Sequence, residues 1–206
     1  MIRAYVGQTR SAKLMARLTR EGIGEVTQRG ECPPRRSPGF FDNGAFGDHR
    51  AGRPFDAAQY RADLETLGAA GTPLDFLVAP DRVAGGLDSL RMSLAWVPRL
   101  HALGPLYLVV QDGMELDDVR SALDPFAGIF LGGSLAWRLA TARAWSDLAH
   151  AHGRRFHIGR AGTARKARWA RRMGADSLDS CVPLFSDDNL RRWLAALKDT
   201  QMELLT

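Results

Sequence analysis

Cysteine, lysine and long apolar runs are scarce in this chain of 206 residues. Two cysteines, Cys32 and Cys181, are too few for a disulfide framework, and no Cys/His group has the spacing of a zinc site. No apolar run approaches the ~18 residues of a membrane-spanning helix, and the first ten residues do not resemble a signal peptide. We therefore expect a cytoplasmic protein of one domain (1–206), with no metal, cofactor or membrane partner.

Arginine supplies almost all of the positive charge. The net charge is +5, and Lys13, Lys166 and Lys198 are the only lysines. Arginine suits bidentate contacts to phosphate, which favours a polyanionic partner. A GC-rich genome would produce the same excess, so composition alone leaves both explanations open.

Strand-length apolar runs alternate with amphipathic helical stretches. The predicted strands are Ile2–Val6, Gly24–Gln28, Gly39–Asn43, Leu74–Ala79, Leu106–Gln111, Gly128–Leu131, Arg155–Ile158 and Ser177–Ser180. The predicted helices are Ser11–Glu21, Asp56–Ala70, Leu87–Leu103, Leu116–Leu123, Ala136–His152, Thr163–Met173 and Asp187–Lys198. Such alternation favours an α/β fold, a compact (β/α)8 TIM barrel, with an open doubly wound sheet as the alternative.

One segment, Gly30–Arg53, lacks a regular pattern and is rich in Pro, Gly and Arg. Long irregular segments in compact domains are often functional. Its arginines flank Asp42 in the sequence and are candidates for nucleic-acid binding: Arg35, Arg36, Arg50 and Arg53.

Polar and glycine residues stand where several strands end. In a barrel all of them project from the carboxyl-terminal rim toward one pocket. Singly, each also has a structural explanation, such as capping a turn or starting a helix. The candidates are Asp42, Asp81, Gln111, Gly132, Gly133 and Asp179.

Five motifs around these positions resemble, in order and spacing, the tRNA-guanine transglycosylase superfamily. They are FFDNGAF, LVAPD, LVVQDGMELDDVR, GIFLGGSLAWR and the run from RFHIGRAG to GADSLDSCVP. The last, Gly-x-Asp-x-x-Asp followed by Val and Pro, is the most specific.

The resemblance implies a role for each site residue. Asp179 would be the nucleophile that forms a covalent glycosyl-enzyme intermediate, and Asp42 the general acid–base. Asp81 would accept hydrogen bonds from the base, and Gln111 would donate one to its carbonyl oxygen. The turn Gly132–Gly133–Ser134 would complete base recognition. Two displacements of this kind need no metal and no redox cofactor.

The chain also departs from the family. The tRNA enzymes carry a zinc module after the nucleophile, and no such ligand set follows Asp179. Asp112 stands here in place of the glycine that directly follows Gln in the family's VQGG motif. We interpret Asp176 as a structural acid.

The resemblance is closest to the DpdA-type deazapurine DNA-modification proteins. It implies exchange of guanine in DNA for a free 7-deazaguanine base such as preQ0, on a flipped or single-stranded nucleotide. An accessory protein could supply further DNA-binding surface. The basic helix TARKARWARR would either hold phosphates or be a solvated outer face.

Three other functions remain open at this point. The same chemistry could act on tRNA or another RNA, or the barrel could bind nucleic acid without catalysis. An unrelated barrel enzyme could use Gly132–Gly133 as a phosphate-binding turn.

Overall fold

The computed structural model describes residues 2–71 and 73–199, and its eight parallel strands close into one barrel in the order β1 to β8. This confirms the (β/α)8 prediction and excludes the open sheet. The strands are β1 (Arg3–Gly7), β2 (Gly24–Gln28), β3 (Gly39–Asp42), β4 (Phe76–Val78), β5 (Leu106–Val110), β6 (Gly128–Leu131), β7 (Arg155–Ile158) and β8 (Ser177–Asp179).

Helices cover the outside of the barrel. They are α1 (Ala12–Arg20), α2 (Ala45–Arg50), α3 (Ala57–Ala70), α4 (Gly86–Leu100), α5 (Leu116–Arg120), α6 (Leu135–Ala151), α7 (Ala164–Arg172) and α8 (Asp187–Lys198). Short 3-10 turns lie at His101–Leu103 and Val182–Phe185. Sequence analysis did not predict α2, and α5 ends at Arg120, before its predicted end at Leu123, with a turn at 121–122. Among the described residues, no helix is long and apolar enough to cross a membrane.

Strand residues alternate between two hydrophobic layers. Outward-facing side chains such as Phe41, Leu77 and Leu108 pack against the helices. Inward-facing side chains such as Phe40 and Phe76 fill the barrel. This period of two places the last inward residue of each strand at the mouth of the barrel.

Aromatic rings fill the barrel interior. The Phe76 ring stacks on Tyr107 with centroids 3.9 Å apart and on Phe40 at 4.4 Å. Glycines provide the space for these rings, because a Cβ at Gly128 would lie 2.6 Å from the Tyr107 ring. The interior is therefore a packed core below the mouth.

No helix separates β2 from β3, and an irregular segment connects them. The buried Glu25 carboxylate accepts the Arg35 N–H at 2.7 Å and pairs with the Arg36 guanidinium at 3.3 Å. Arg36 also donates to the carbonyls of Ile23 and Gly24, at the amino end of β2. Arg36 thus fixes the segment at the opposite end of the barrel from the carboxyl end of β3.

Close packing against Tyr107 yields a stability prediction. Gly128→Ala should lower the free energy of unfolding by about 1–3 kcal/mol, since the added methyl overlaps a ring that cannot move freely. Gly47→Ala is the control, because a Cβ there meets nothing within 4 Å and alanine favours the helix. Urea denaturation measures both, and equal stability of the two variants would contradict the packing account.

Candidate active site

Three carboxylates meet at the carboxyl-terminal mouth of the barrel. Asp42 ends β3, Asp179 ends β8, and Asp81 follows the last residue of β4 by three positions. Burial raises the pKa of Asp42 to about 6, with a hydrogen bond from the Gly44 N–H opposing the rise and the charges of Asp179 and Asp81 adding to it. Three of the predicted site residues therefore share one low-dielectric space, in which one can hold a proton near neutral pH.

His157 is buried beneath the mouth and fixes Asp179. Its Nε2 lies 3.0 Å from Asp179 Oδ1, and its Nδ1 lies 2.8 Å from Ser177 Oγ. Burial lowers the pKa of His157, and the hydrogen bond and charge of Asp179 oppose this. A neutral imidazole that accepts from Ser177 donates its Nε2 proton to Asp179. The carboxylate is thereby oriented with its side chain still 16% exposed.

Sequence analysis missed His157, although a signal was present. His157 occupies the same alternating face of β7 as Gly159, whose added Cβ would lie 3.2 Å from Asp179 Oδ1. A histidine between the apolar Phe156 and Ile158, two residues before a glycine at the rim, was the available indication.

Asn43 connects the Asp42 strand end to Asp81. Its amide donates to Asp81 Oδ1 at 2.8 Å and to the Ala79 carbonyl at 2.7 Å. Burial raises the pKa of Asp81 to about 6, and the hydrogen bonds from Asn43 and Gln111 oppose it. Asp81 is therefore held as an acceptor whose charge is only partly compensated.

Gln111 is buried, and its amide is occupied by the loop that carries Asp81. The side-chain N–H groups donate to Ser89 Oγ at 2.7 Å and to the Arg82 carbonyl at 2.9 Å, with Asp81 at 3.3 Å. The side-chain oxygen accepts from the Ala84 N–H at 2.7 Å. In this arrangement Gln111 positions the Asp81 loop, and a contact to a base would require one of these bonds to exchange.

The Gly132–Gly133–Ser134 turn follows β6 and is fixed by Asp112. Asp112 accepts the Ser134 N–H at 2.7 Å and the Ser134 hydroxyl at 2.6 Å. Gly133 has a positive φ of 78°, and a Cβ there would lie 2.5 Å from the Asp112 carboxylate. Asp112 thus holds the turn, and Ser134 caps α6 by accepting the Trp137 N–H.

Arg160 and Phe46 meet over the mouth. The Arg160 guanidinium lies 4.6 Å from the Phe46 ring centroid and donates to the Gly133 carbonyl at 2.7 Å. Phe46 follows β3 and Arg160 follows β7, which stand on opposite sides of the eight-stranded barrel. Their contact therefore spans the opening, and the Phe46 side chain remains 44% exposed.

The predicted nucleic-acid-binding arginines are not grouped at the mouth. Arg36 does not lie beside Asp42, because the buried ion pair with Glu25 holds its guanidinium at the other end of the barrel. Arg35 is exposed and lines a cavity of about 340 Å³ with Arg10 and Glu31. Arg50 is exposed at the end of α2, and Arg53 pairs with Asp48 at 3.4 Å.

Arg29, which sequence analysis did not select, is close enough to Asp42 for its charge to lower the pKa of that carboxyl group. It forms a buried ion pair with Asp48 at 2.5 Å and donates to the Asn43 carbonyl at 3.3 Å. It thereby fixes α2 beside the strand end that carries Asp42.

Asp176 forms hydrogen bonds with His150, Arg155 and the Phe156 N–H before β8 begins, as a structural acid would. Within residues 2–71 and 73–199, no group of three or more potential ligands could hold a metal ion.

The raised pKa of Asp42 predicts a pH-dependent stability. Its folded-state pKa of about 6 exceeds the ordinary value, so ionisation destabilises the native state as pH rises from about 4 through 6. Asp42→Asn removes that charge and should raise the free energy of unfolding at pH 8 by about 1–3 kcal/mol, with little gain at pH 4. Urea denaturation at the two pH values measures the difference.

Asp48→Asn is the matched control. Burial acts to raise the pKa of Asp48, but hydrogen bonds from Arg29 and the Asp56 N–H outweigh it and lower that pKa. Its replacement leaves Arg29 without its carboxylate and should destabilise the protein at pH 8. A gain for Asp42→Asn that is the same at pH 4 and pH 8 would contradict the assignment of a raised pKa.

Comparison with known proteins supports the fold alone. No family model matches the chain, and neither does any curated protein. The crystal structure of RipC from Yersinia pestis is similar over 99% of this chain and 98% of its own, with a TM-score of 0.57 and 12% sequence identity. The chain is therefore a (β/α)8 barrel with three carboxylates and a buried histidine gathered at its mouth.

Proposed function

We propose that this protein is a DNA-guanine transglycosylase, which exchanges guanine in DNA for a 7-deazaguanine base of the preQ0 type. The observation that carries the proposal is the pairing at the mouth of Asp179, oriented by His157, with Asp42, whose pKa of about 6 lets it hold a proton. The sequence resemblance to the tRNA-guanine transglycosylase superfamily, and within it to the DpdA type, gives this pair its reaction.

The first displacement uses both acids. The free oxygen of Asp179 attacks C1′ of the target nucleotide, forming a C1′–O bond as the C1′–N9 bond breaks. The electron pair of the broken bond passes to the guanine, and protonated Asp42 supplies the proton with which the base leaves. A carboxyl group with a pKa near neutral suits this step because it is a strong enough acid and still partly protonated.

The second displacement reverses the roles. The Asp42 carboxylate accepts the proton from the incoming 7-deazaguanine as its nitrogen attacks C1′. The C1′–O bond to Asp179 breaks and the carboxylate is regenerated. The protein is neither oxidised nor reduced over the two displacements. Asp42 gives one proton to the departing guanine and regains one from the incoming base.

His157 supports the nucleophile through a single hydrogen bond. Donation from Nε2 to Oδ1 stabilises the ionised carboxylate and leaves Oδ2 for attack. Since the imidazole is packed against Phe130 with centroids 4.5 Å apart, Asp179 has little freedom to rotate away. This preorganisation lowers the cost of reaching the reactive geometry.

Base recognition follows from what surrounds the acids. The Asp81 carboxylate would accept hydrogen bonds from the N–H edge of guanine, and the bound donors would compensate its buried charge. The exposed Phe46 ring offers a stacking face at the same opening. The turn Gly132–Gly133–Ser134 borders the base from β6, with Gln111 holding the Asp81 loop in place.

A base in a duplex must leave the stack to reach an acid inside a barrel mouth, so the substrate is a flipped or single-stranded nucleotide. The net charge of +5 and the exposed Arg35 and Arg50 favour a polyanion as partner. DNA is preferred over tRNA because the sequence resemblance is closest to the DpdA-type deazapurine DNA-modification proteins.

A trapping experiment tests the nucleophile. With guanine-containing single-stranded DNA and no incoming base, the wild-type protein should form an adduct that survives denaturing electrophoresis. Asp179→Asn should lose the adduct and retain DNA binding, since an amide does not displace the base. Asp117→Asn, an exposed carboxylate on α5, is the control and should behave as wild type.

The same assay distinguishes the alternatives. An adduct with tRNA and none with DNA would move the proposal to an RNA substrate. An adduct that persists in Asp179→Asn would remove Asp179 from the nucleophile role, and binding with no adduct on either nucleic acid would favour a barrel without catalysis.

A further inference from the structure

Outside the barrel mouth, α6 and α7 enclose a second cavity of about 220 Å³. Leu135, Leu139 and Trp169 form its apolar walls, and five cations line it: Arg138, Arg160, Arg165, Lys166 and Arg172. The mechanism proposed above uses none of these cations. We propose that this cavity is a phosphate-binding subsite that takes a phosphate ester of a nucleotide.

Arg138 is the first reason. It lies in the first turn of α6, is 4% exposed, and donates from Nη2 to the Gly159 carbonyl. Its Nε is buried without a hydrogen-bond partner. A buried donor on a charged group is costly to leave unsatisfied, and the cavity beside it is where an acceptor would lie.

Charge is the second reason. In the described part of the chain, Arg138, Arg160, Arg165 and Lys166 form no ion pair with a carboxylate. Burial and the charge of Arg160 together lower the pKa of Arg138 to about 10, and the charge of Asp179 opposes both. Arg138 is therefore still charged at pH 7, beside a second cation that repels it. Other buried arginines, such as Arg29 and Arg36, have carboxylate partners.

Helix polarity is the third reason. Arg165 and Lys166 stand in the first turn of α7, which contains no acidic residue, and the positive end of the helix dipole disfavours cations there. By contrast, α8 begins with Asp187 and Asp188, as the dipole favours. An arrangement that costs stability in the free protein becomes favourable when an anion binds.

Arg160 connects this cavity to the mouth. It has a positive φ of 58°, a backbone conformation that a non-glycine residue adopts only at a cost. Its guanidinium lies over Phe46 at the opening while the same residue lines the cavity. A phosphate bound here would lie next to a base bound at the mouth. That assignment to the target strand rests on the proposed function, whereas the phosphate site itself does not.

Phosphate fits better than a carboxylate because several arginine donors converge on one space, and a tetrahedral anion offers acceptors in more directions. The walls of Leu135, Leu139 and Trp169 would contact the sugar of the same nucleotide. The ester can come from a DNA backbone or from a free nucleotide, and the test separates these sources.

The test is a titration that does not depend on base exchange. The unfolding temperature is measured against inorganic phosphate, thymidine 5′-phosphate and a thymidine dinucleotide diester, with chloride at matched ionic strength as reference. The variants are Arg165→Gln/Lys166→Gln and, on the neighbouring helix, the control Arg191→Gln/Arg192→Gln, whose side chains are 74% and 71% exposed.

We expect phosphate to stabilise the wild-type protein and the α8 control beyond the chloride reference. Arg165→Gln/Lys166→Gln should raise the dissociation constant for phosphate at least ~10-fold, which is the effect of losing one or more charged hydrogen bonds. Arg138→Met should do the same. Preference for the diester would identify the DNA backbone as the source, and preference for the monoester a free nucleotide.

Two results would overturn the site: no phosphate-specific stabilisation of the wild-type protein, or equal phosphate affinity in Arg165→Gln/Lys166→Gln and wild type. A phosphate response in a protein that forms no adduct with DNA or tRNA would contradict the proposed function and leave the subsite standing. Adduct formation without a phosphate response would contradict the subsite and leave the proposed function standing.

Discussion

Closure of eight parallel strands is the constraint on which the site depends. Once the barrel closes, the inward-facing residue at each carboxyl end has nowhere to point except the shared mouth, above a packed layer of aromatic rings. Asp42 and Asp179 are brought together in this way from strands far apart in the sequence. The same closure buries Asp42, and this burial raises the pKa of its carboxyl group to about 6.

Much of this architecture could be predicted from the sequence because burial on both faces leaves continuous apolar runs. β2, β6 and β7 have the predicted bounds, and the carboxylates at the strand ends follow from them. The segment between Gly30 and Arg53 was less predictable. Its short helix α2 depends on the Asn43 turn and on the Arg29–Asp48 pair, both of which are tertiary contacts. Arg36 is near Asp42 in the sequence but lies at the opposite end of the barrel, because the segment before β3 returns to the amino ends of the strands.

The arginines divide into two groups that composition does not separate. Arg29 and Arg36 each have a carboxylate partner and stabilise the irregular segment around the barrel. Arg138 and Arg160 have none in the described part of the chain and lie between the mouth and the α6–α7 cavity. The first group stabilises the fold, whereas the two positive charges of the second group repel each other. Cations without carboxylate partners, placed beside the acidic mouth, suit a site for an anionic substrate.

The central claim is that Asp179 becomes covalently attached to C1′ of a guanine nucleotide. Tandem mass spectrometry of the protein after incubation with guanine-containing DNA tests it most directly, because fragmentation locates the adduct within GADSLDSC. The account predicts a nucleotide adduct on Asp179 and on neither Asp176 nor Asp42. An adduct on another residue would contradict the account, and so would unmodified protein after incubation with either DNA or tRNA.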